Sequence, residues 1–334
     1  MVAIRRTFRV SSNRIFMVLA VCVLAFTCSG QSSWPGCPAL SGTICCAAAW
    51  YHAETGPVTA MALSPDRRSL ILSSHSGMEI RELHDNMKSV QKAFEADQIS
   101  DLEFSPDGTM LVVSGGTPGQ FGVTEILKWP SCERYALHRD FDEVCTAVAW
   151  SPDCCHIAVG LLWTTTDNKS GAGTVLISSS LDQSIRLFVP DVTEKGMTIT
   201  QTRVLEQHTR EVQGISLADG ASRFQNEKLT LVSWGDDRTL RFWQPLTGRM
   251  LRFARLDNEV IDAAWDPEGK FVMAALSNGE VVAVELQNAN IQRVKQFDQP
   301  ITRLIASNET GQFIASDFRG RVHYVASPKT MTED

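Results

Sequence analysis

The sequence lacks the short motifs that mark most catalytic and metal sites. It has no Cys-x-x-Cys pair, no His-x-x-x-His or Asp-x-Asp-x-Asp spacing, no Gly-x-Ser-x-Gly elbow and no glycine-rich phosphate loop. Zinc, redox, calcium and nucleotide sites therefore have no local support. An excess of bases is also missing: 38 acids face 31 Lys and Arg, which argues against a nucleic-acid partner. We predict no catalytic residue, metal or cofactor.

An apolar run long enough to cross a membrane is missing too. The run from Ile15 to Phe26 has twelve residues, whereas a spanning helix needs about 20. Four arginines precede the run and small residues follow it, as in a secretory signal peptide. We expect residues 1–30 to be this signal, with cleavage near Gly30, and the exported chain to be periplasmic or extracellular. A lipid anchor at Cys28, which would attach the chain to the envelope, is the weaker alternative.

What the sequence does contain is a repeated strand pattern. Six alternating segments begin at Val58, Ile99, Cys145, Val212, Val260 and Ile301, at intervals of 41, 46, 67, 48 and 41 residues. Turns rich in Pro, Asp and Gly follow each segment, and small-residue apolar strands come next. A unit of about 40–45 residues with four short strands is typical of a propeller blade. The fold class is therefore all-β.

One repeat carries a family resemblance. The segment from Leu229 to Trp243 resembles the second half of a WD40 repeat, and Gln207-His208 stands where that family has Gly-His. The resemblance implies a buried hydrogen-bonded tetrad, made here of His208, Ser233, Asp237 and Trp243. The segment from Ser178 to Phe188 is a second match, with Phe188 in place of the tryptophan. The remaining repeats are degenerate, with Gly77, Asn278 and Arg319 near the Asp position.

The repeats favour a WD40-like β-propeller of six blades over residues 44–330, with 31–43 as a linker. Seven blades are the alternative, since another blade could be accommodated only in the 67-residue interval. The last repeat has no fourth strand after Val325, so we expect the segment from Ile44 to Tyr51 to supply it and to close the ring. Closure removes open sheet edges.

The candidate binding residues lie in the loops. Within the long interval, Trp163 borders a polar segment and could be an exposed loop anchor, although a packed strand tryptophan is favoured. The residues before the first strands are acidic: Asp97, Asp142, Glu143, Glu211, Asp257, Glu259 and Asp298. In the family these loops share one rim, so the acids predict a negative ring that attracts a basic protein or peptide. Solvated turn charges are the alternative.

These features predict an exported protein-binding or scaffold module without catalytic activity. The alternative is a propeller that binds or turns over a small molecule or glycan at its central channel, since a site could draw one residue from each blade.

Overall fold

The computed structural model describes residues 23–25, 51–52 and most of 57–328. The stretches 75–76, 84–88, 142–143, 151–153, 160–161, 166–173, 194–195, 219–228 and 308–310 lie outside the described residues, as do positions 93, 96, 119, 155 and 181. The described residues do not include the predicted linker, the segment from Ile44 to Trp50, Asp142 or Glu143. Within the described residues no helix is long and apolar enough to cross a membrane.

The described strands form seven antiparallel sheets. Sheet 1 contains β3 (Ala60–Leu63), β4 (Ser69–Ser74), β5 (Gly77–Glu82) and β6 (Ser89–Lys92). Sheet 2 contains β7 (Gln98–Phe104), β8 (Met110–Thr117), β9 (Phe121–Lys128) and β10 (Glu133–Phe141). Sheet 3 contains β11 (Val148–Trp150), β12 (His156–Val159) and β1 (Val23–Ala25). Sheet 4 contains β13 (Leu162–Thr165), β14 (Thr174–Ser179), β15 (Ile185–Thr193) and β16 (Gly196–Leu205).

The other three sheets have four strands each. Sheet 5 contains β17 (Val212–Leu217), β18 (Leu231–Gly235), β19 (Thr239–Gln244) and β20 (Arg249–Arg255). Sheet 6 contains β21 (Val260–Trp265), β22 (Phe271–Leu276), β23 (Glu280–Glu285) and β24 (Ile291–Gln296). Sheet 7 contains β25 (Ile301–Ala306), β26 (Gln312–Asp317), β27 (Arg321–Ala326) and β2 (Tyr51–His52).

The first strands of the sheets form the inside of a ring. Each contacts the first strand of the next sheet, and β25 of sheet 7 contacts β3 of sheet 1. Neighbouring first strands run parallel. The amides of Val148 and Trp150 in sheet 3 donate to the carboxylates of Asp101 and Glu103 in sheet 2, so the contacts advance in the same direction along both strands. Because each sheet is an antiparallel meander, the loops that lead into all first strands lie on one rim of the ring.

The core lies between the sheets. One apolar cluster joins sheets 5 and 6 around Phe242, Trp265 and Val282, and another joins sheets 6 and 7 around Phe271 and Phe313. Similar clusters join sheets 1 and 2, 2 and 3, 4 and 5, and 7 and 1. Burying each large side chain contributes about 1.5–3 kcal/mol. The ring is therefore held by sheet-to-sheet packing of apolar faces.

The predicted turns lie between the first and second strands. In sheet 2 the Ser105 hydroxyl donates to Asp107 at 2.6 Å, and the Met110 amide donates back to Ser105 at 2.9 Å. Gly108 adopts φ +71°, which favours glycine, and a Cβ there would lie 2.9 Å from Pro65. Side-chain hydrogen bonds within the turn thus fix the connection that the Ser-Pro-Asp-Gly pattern predicts.

All six predicted first strands are present, and the long interval contains a further sheet. The pattern suggests a single strand from His156 to Trp163, but this segment belongs to two sheets: β12 pairs with β11 and β13 pairs with β14. The described residues therefore form seven sheets where the repeats favour six, with the additional one in the interval that the alternative of seven requires.

An N-terminal strand closes the ring, as predicted, but of the predicted segment from Ile44 to Tyr51 only Tyr51 is among the described residues of that strand. In sheet 7, β2 supplies the outer strand, with Tyr51 opposite Val322 and His52 opposite Arg321. An unexpected strand also comes from the N-terminal region: β1 pairs with β12, so Val23 lies opposite Ala158. The expected signal peptide therefore contributes a strand to sheet 3.

Candidate functional site

The structure brings the four tetrad residues into one hydrogen-bonded chain. Trp243 Nε1 donates to Ser233 Oγ at 2.8 Å, and Ser233 Oγ lies 2.7 Å from His208 Nε2. His208 Nδ1 lies 2.9 Å from Asp237 Oδ2. If Ser233 donates to Nε2, Nδ1 carries the proton and donates to the carboxylate. The chain ties the loop before β17 to β18 and β19.

Asp237 collects further donors around this chain. The amides of Thr209 and Thr239 donate to its carboxylate, and so do the Thr239 hydroxyl and the Arg241 guanidinium. Burial opposes the negative charge, but the hydrogen bonds from His208 and Thr239 outweigh burial and hold the pKa of Asp237 well below its usual range. Asp237 is thus a fixed anion. The family pattern did not indicate the contribution of Arg241.

Burial decides what Ser233, His208 and Asp237 can do. Ser233 is fully buried and His208 is 4% exposed. The Ser233 hydroxyl already accepts from Trp243 and contacts His208, so no substrate carbonyl can reach it. A catalytic triad needs its serine open to substrate. These residues therefore form a structural lock.

Sheet 4 contains an incomplete version of the lock. Ser178 lies opposite Arg186 and Leu176 lies opposite Phe188, as Ser233 lies opposite Arg241 and Leu231 opposite Trp243. Asp182 bonds Ser184 and Arg186. The Phe188 side chain has no N–H to donate, and the buried Ser178 hydroxyl has no hydrogen-bond partner among the described residues. Replacement of Trp by Phe at this position thus leaves an unsatisfied polar group.

Sheet 7 uses different residues for the same purpose. The sequence pattern places Arg319 and Val325 at the Asp and Trp positions, but the buried acid is Asp317, two residues earlier. Its carboxylate accepts from Arg321 Nε at 2.6 Å and lies 3.0 Å from His323 Nε2. Burial opposes its charge, yet the bonds from His323 and Arg321 lower the pKa of Asp317. Asp317 and His323 do not occupy the Asp and His positions of the WD40 pattern, so that pattern does not indicate their pairing.

The described acids of the predicted negative ring lie on one rim. Asp97, Glu259 and Asp298 are exposed. Backbone hydrogen bonds hold two of these loops against neighbouring turns. The Glu211 carbonyl accepts from the Asp236 amide, and the Glu259 carbonyl accepts from the Ser277 amide. We call the set Asp97, Glu211, Asp257, Glu259 and Asp298 the acidic rim.

Bases interrupt the acidic rim more than the sequence suggests. The loops leading into the first strands contain Arg210, but the turns on the same rim add the exposed Arg238 and Arg319. Asp257 also forms an exposed ion pair with Arg293 at 3.2 Å, and exposed pairs contribute about 0–1 kcal/mol. The described rim is therefore mixed in charge, with an acidic excess in the loops.

The backbone of Trp163 lies in β13, opposite Leu176, so this residue belongs to a strand. Its side chain and the following polar segment are outside the described residues. Trp163 as a loop anchor stays a prediction.

A charged cluster that the repeat pattern does not indicate lines the central channel. Asp101, Asp262 and Arg303 occupy equivalent positions in three first strands, directly after the bulge that each strand contains. Asp101 accepts from Val148 of the next sheet at 2.9 Å, and Asp262 from Leu304 at 2.8 Å. Charged residues at that shared position were the available signal.

Arg303 links this cluster across several sheets. Its guanidinium donates to the carbonyls of Thr59 in sheet 1 and Ser100 in sheet 2. Burial raises the pKa of Asp101 to about 6, opposed by the Val148 hydrogen bond and the charge of Arg303. Burial likewise raises the pKa of Asp262. Among the described residues, no group of three His, Cys, Asp or Glu side chains could hold a metal ion.

Comparison with known proteins gives the same fold. No protein-family profile matches the chain. Cell division cycle 20.1, cofactor of APC complex, from Arabidopsis thaliana is 23% identical over 225 residues, which are 66% of this chain and 43% of that protein. WD repeat-containing protein AAC3 from Dictyostelium discoideum is 23% identical over 136 residues, 40% of this chain and 27% of that protein.

A third relative matches a shorter stretch. The ribosome biogenesis protein BOP1 homolog from Monosiga brevicollis is 39% identical over 54 residues, 16% of this chain and 7% of that protein. The matched regions thus span less than half the length of each relative. Together with the seven-sheet ring, these similarities show that the chain resembles WD-repeat proteins and has a WD40-like β-propeller fold.

Proposed function

We propose that this protein is a non-catalytic scaffold whose acidic rim binds a basic segment of a partner protein. The observation that carries the proposal is the placement of exposed Asp97, Glu259 and Asp298 on one rim of the ring. Similarity to WD-repeat proteins supports a protein-interaction module. The buried lock around Ser233 supports a role without catalysis, because its polar groups are satisfied by one another.

The test is charge reversal on the rim. Asp97→Lys with Asp298→Lys should weaken binding of a labelled Lys/Arg-rich peptide, measured by fluorescence anisotropy, by about tenfold at low salt. The loss should shrink at high salt, because screening acts within about 8 Å at physiological ionic strength.

The matched control changes two acids on the opposite rim. Glu133 and Glu268 are exposed and lie at the other ends of the strands, Glu133 as the first residue of β10 and Glu268 in the turn between β21 and β22. Glu133→Lys with Glu268→Lys makes the same change in net charge and should leave the affinity within about threefold of the wild type. Equal losses in both double variants would show a net-charge effect and would refute the acidic rim.

We also propose that the protein is exported. The arginine-rich start and the twelve-residue apolar run support this proposal. The pairing of β1 with β12 points the other way, because cleavage near Gly30 would remove β1 from sheet 3. N-terminal sequencing of the mature protein decides: a start near residue 31 in an extracytoplasmic fraction agrees with export, whereas an intact Met1 contradicts it. An acylated Cys28 would show as a mass shift.

A further inference from the structure

The outer strand of sheet 5 is strongly basic. In β20 (Arg249–Arg255), three arginines are exposed and no acid is present, although the whole chain has a net charge of −7. Phe253 of the same strand is 55% exposed, which is unusual for an aromatic side chain in a folded protein. This strand therefore presents a cationic and aromatic surface at the circumference of the ring.

The strand register divides these side chains between two faces. Phe253 lies opposite Arg241 and Arg255 lies opposite Thr239. Trp243, on the same face of β19, packs with sheet 4 residues, so Phe253 and Arg255 face sheet 4. Arg252 lies on the other face and donates to the Gln287 carbonyl of sheet 6 at 3.1 Å.

Sheet 4 supplies the opposite wall of a groove. In β16, Arg203 lies opposite Leu187, which packs into the cluster between sheets 4 and 5. The Arg203 guanidinium lies against Gly248, with Nη1 2.7 Å from where a Cβ would be. Arg203 therefore extends from β16 to the turn before β20. We call the surface made by Arg203, Met250, Phe253 and Arg255 the 4–5 groove.

Arg241 fixes the aromatic part of this groove from below. Its guanidinium carbon lies 5.9 Å from the centre of the Phe253 ring. The same guanidinium is held by Asp237 and Thr239 and contacts Met250 Sδ. Phe253 thus rests on a cation that the structural lock already positions, which orients the ring while leaving its outer side exposed.

The two arginines at the groove have no acidic partner in the described part of the chain. Two arginines on other outer strands have acidic partners: Arg134 pairs with Glu125 and Glu95, and Arg293 pairs with Glu280 and Asp257. Among the residues that the structure describes, Arg203 and Arg255 form no ion pair. Two uncompensated cations beside an exposed ring leave a site that favours an anionic ligand with an apolar part.

We propose that the 4–5 groove binds an extended, acidic segment of a partner protein, with an apolar side chain on Phe253 between carboxylates that pair with Arg203 and Arg255. Charge complementarity carries this assignment. A groove with one ring and few cations fits a short acidic segment better than a nucleic acid, which needs a run of phosphate contacts. The proposal does not depend on the acidic rim, because the groove lies on the circumference.

The experiment uses the full chain and a fluorescein-labelled peptide in which Leu alternates with pairs of Glu. Arg203→Glu with Arg255→Glu should weaken the affinity, measured by anisotropy, by at least about tenfold. Phe253→Ala should weaken binding of this peptide by about fivefold but leave binding of polyglutamate unchanged. Thermal melts confirm that each variant is folded, and all three positions are exposed in the wild type.

The matched control lies on the same strand. Arg249→Glu with Arg252→Glu makes the same charge change on the face toward sheet 6 and should alter the affinity by less than about threefold. Equal losses of affinity in both double variants would show that net charge determines binding, and this result would overturn the proposal. Absence of wild-type binding would overturn it outright. Tighter binding of a single-stranded oligonucleotide, lost in the groove variant, would show that the site is for nucleic acid and the proposal is wrong.

Discussion

At the scale of single residues, the resemblance of one repeat to a WD40 repeat predicted the tetrad, and local geometry explains why three of its members keep a fixed spacing. Ser233, Asp237 and Trp243 lie within one hairpin, so their relative positions follow from local geometry. His208 is remote, but the loop that carries it enters the same sheet. Arg241 escaped prediction because its bond to Asp237 depends on side-chain direction, which a residue pattern does not fix.

The lock predicts a stability effect for Asp237. Asp237→Ala leaves His208, Thr239 and two backbone amides without an acceptor, and should lower the free energy of unfolding by about 1–3 kcal/mol. Asp237→Asn keeps one carbonyl oxygen as an acceptor and should lower the free energy of unfolding by a smaller amount. Denaturant melts measure both variants. An unchanged midpoint for the alanine variant, with loss of a measurable activity, would show that the tetrad is catalytic.

At the scale of strands and turns, the period-2 pattern and the Pro-Asp-Gly turns located six of the seven first strands that the structure describes. The exception is instructive: β13 was missed because it follows β12 after only two residues and its own turn signal is absent. The apolar stretch from His156 to Trp163 looks like one strand in sequence. Only pairing shows the change of sheet, because β12 pairs with the preceding strand β11 whereas β13 pairs with the following strand β14.

A substitution in sheet 4 tests whether its repeat is equivalent to the repeat in sheet 5. Phe188→Trp should place an indole N–H near the unpartnered Ser178 hydroxyl, as Trp243 Nε1 reaches Ser233 at 2.8 Å. Satisfying that group should raise the free energy of unfolding by about 1 kcal/mol. Thermal or denaturant melts provide the measurement.

A double-mutant cycle separates this effect from packing. Ser178→Ala removes the orphan hydroxyl, so Phe188→Trp should gain nothing in that background beyond what the larger ring contributes by burial. The same gain with and without Ser178 would mean that no hydrogen bond forms and that the two repeats differ in geometry.

At the scale of the whole molecule, the ring depends on contacts that no repeat contains alone. Arg303 of sheet 7 donates to the Thr59 and Ser100 carbonyls, and β2 adds the outer strand of the same sheet. The sequence predicted the second contact because the last repeat lacks a strand. It did not predict the first, since nothing in a single repeat shows which residues face the channel.

The channel cluster makes the stability of the ring depend on pH. Burial raises the pKa of Asp101 to about 6, above the value of about 3.9 expected in the unfolded chain. Between these values the folded state binds the proton more strongly, so the contribution of Asp101 to stability is full below about pH 4 and falls as the pH rises through 6. Arg303 and Asp262, which also has a raised pKa, face the same channel.

Asp101→Asn tests this dependence. Asparagine cannot titrate here but keeps an oxygen to accept from Val148, so the inter-sheet hydrogen bond can persist. The stability of the variant relative to the wild type should rise by about 1–3 kcal/mol between pH 4 and pH 7, as the wild type loses its proton. Denaturant melts at several pH values measure the difference. A constant difference across that range would mean that Asp101 titrates alike in the folded and unfolded chains, and the channel would then not sense pH.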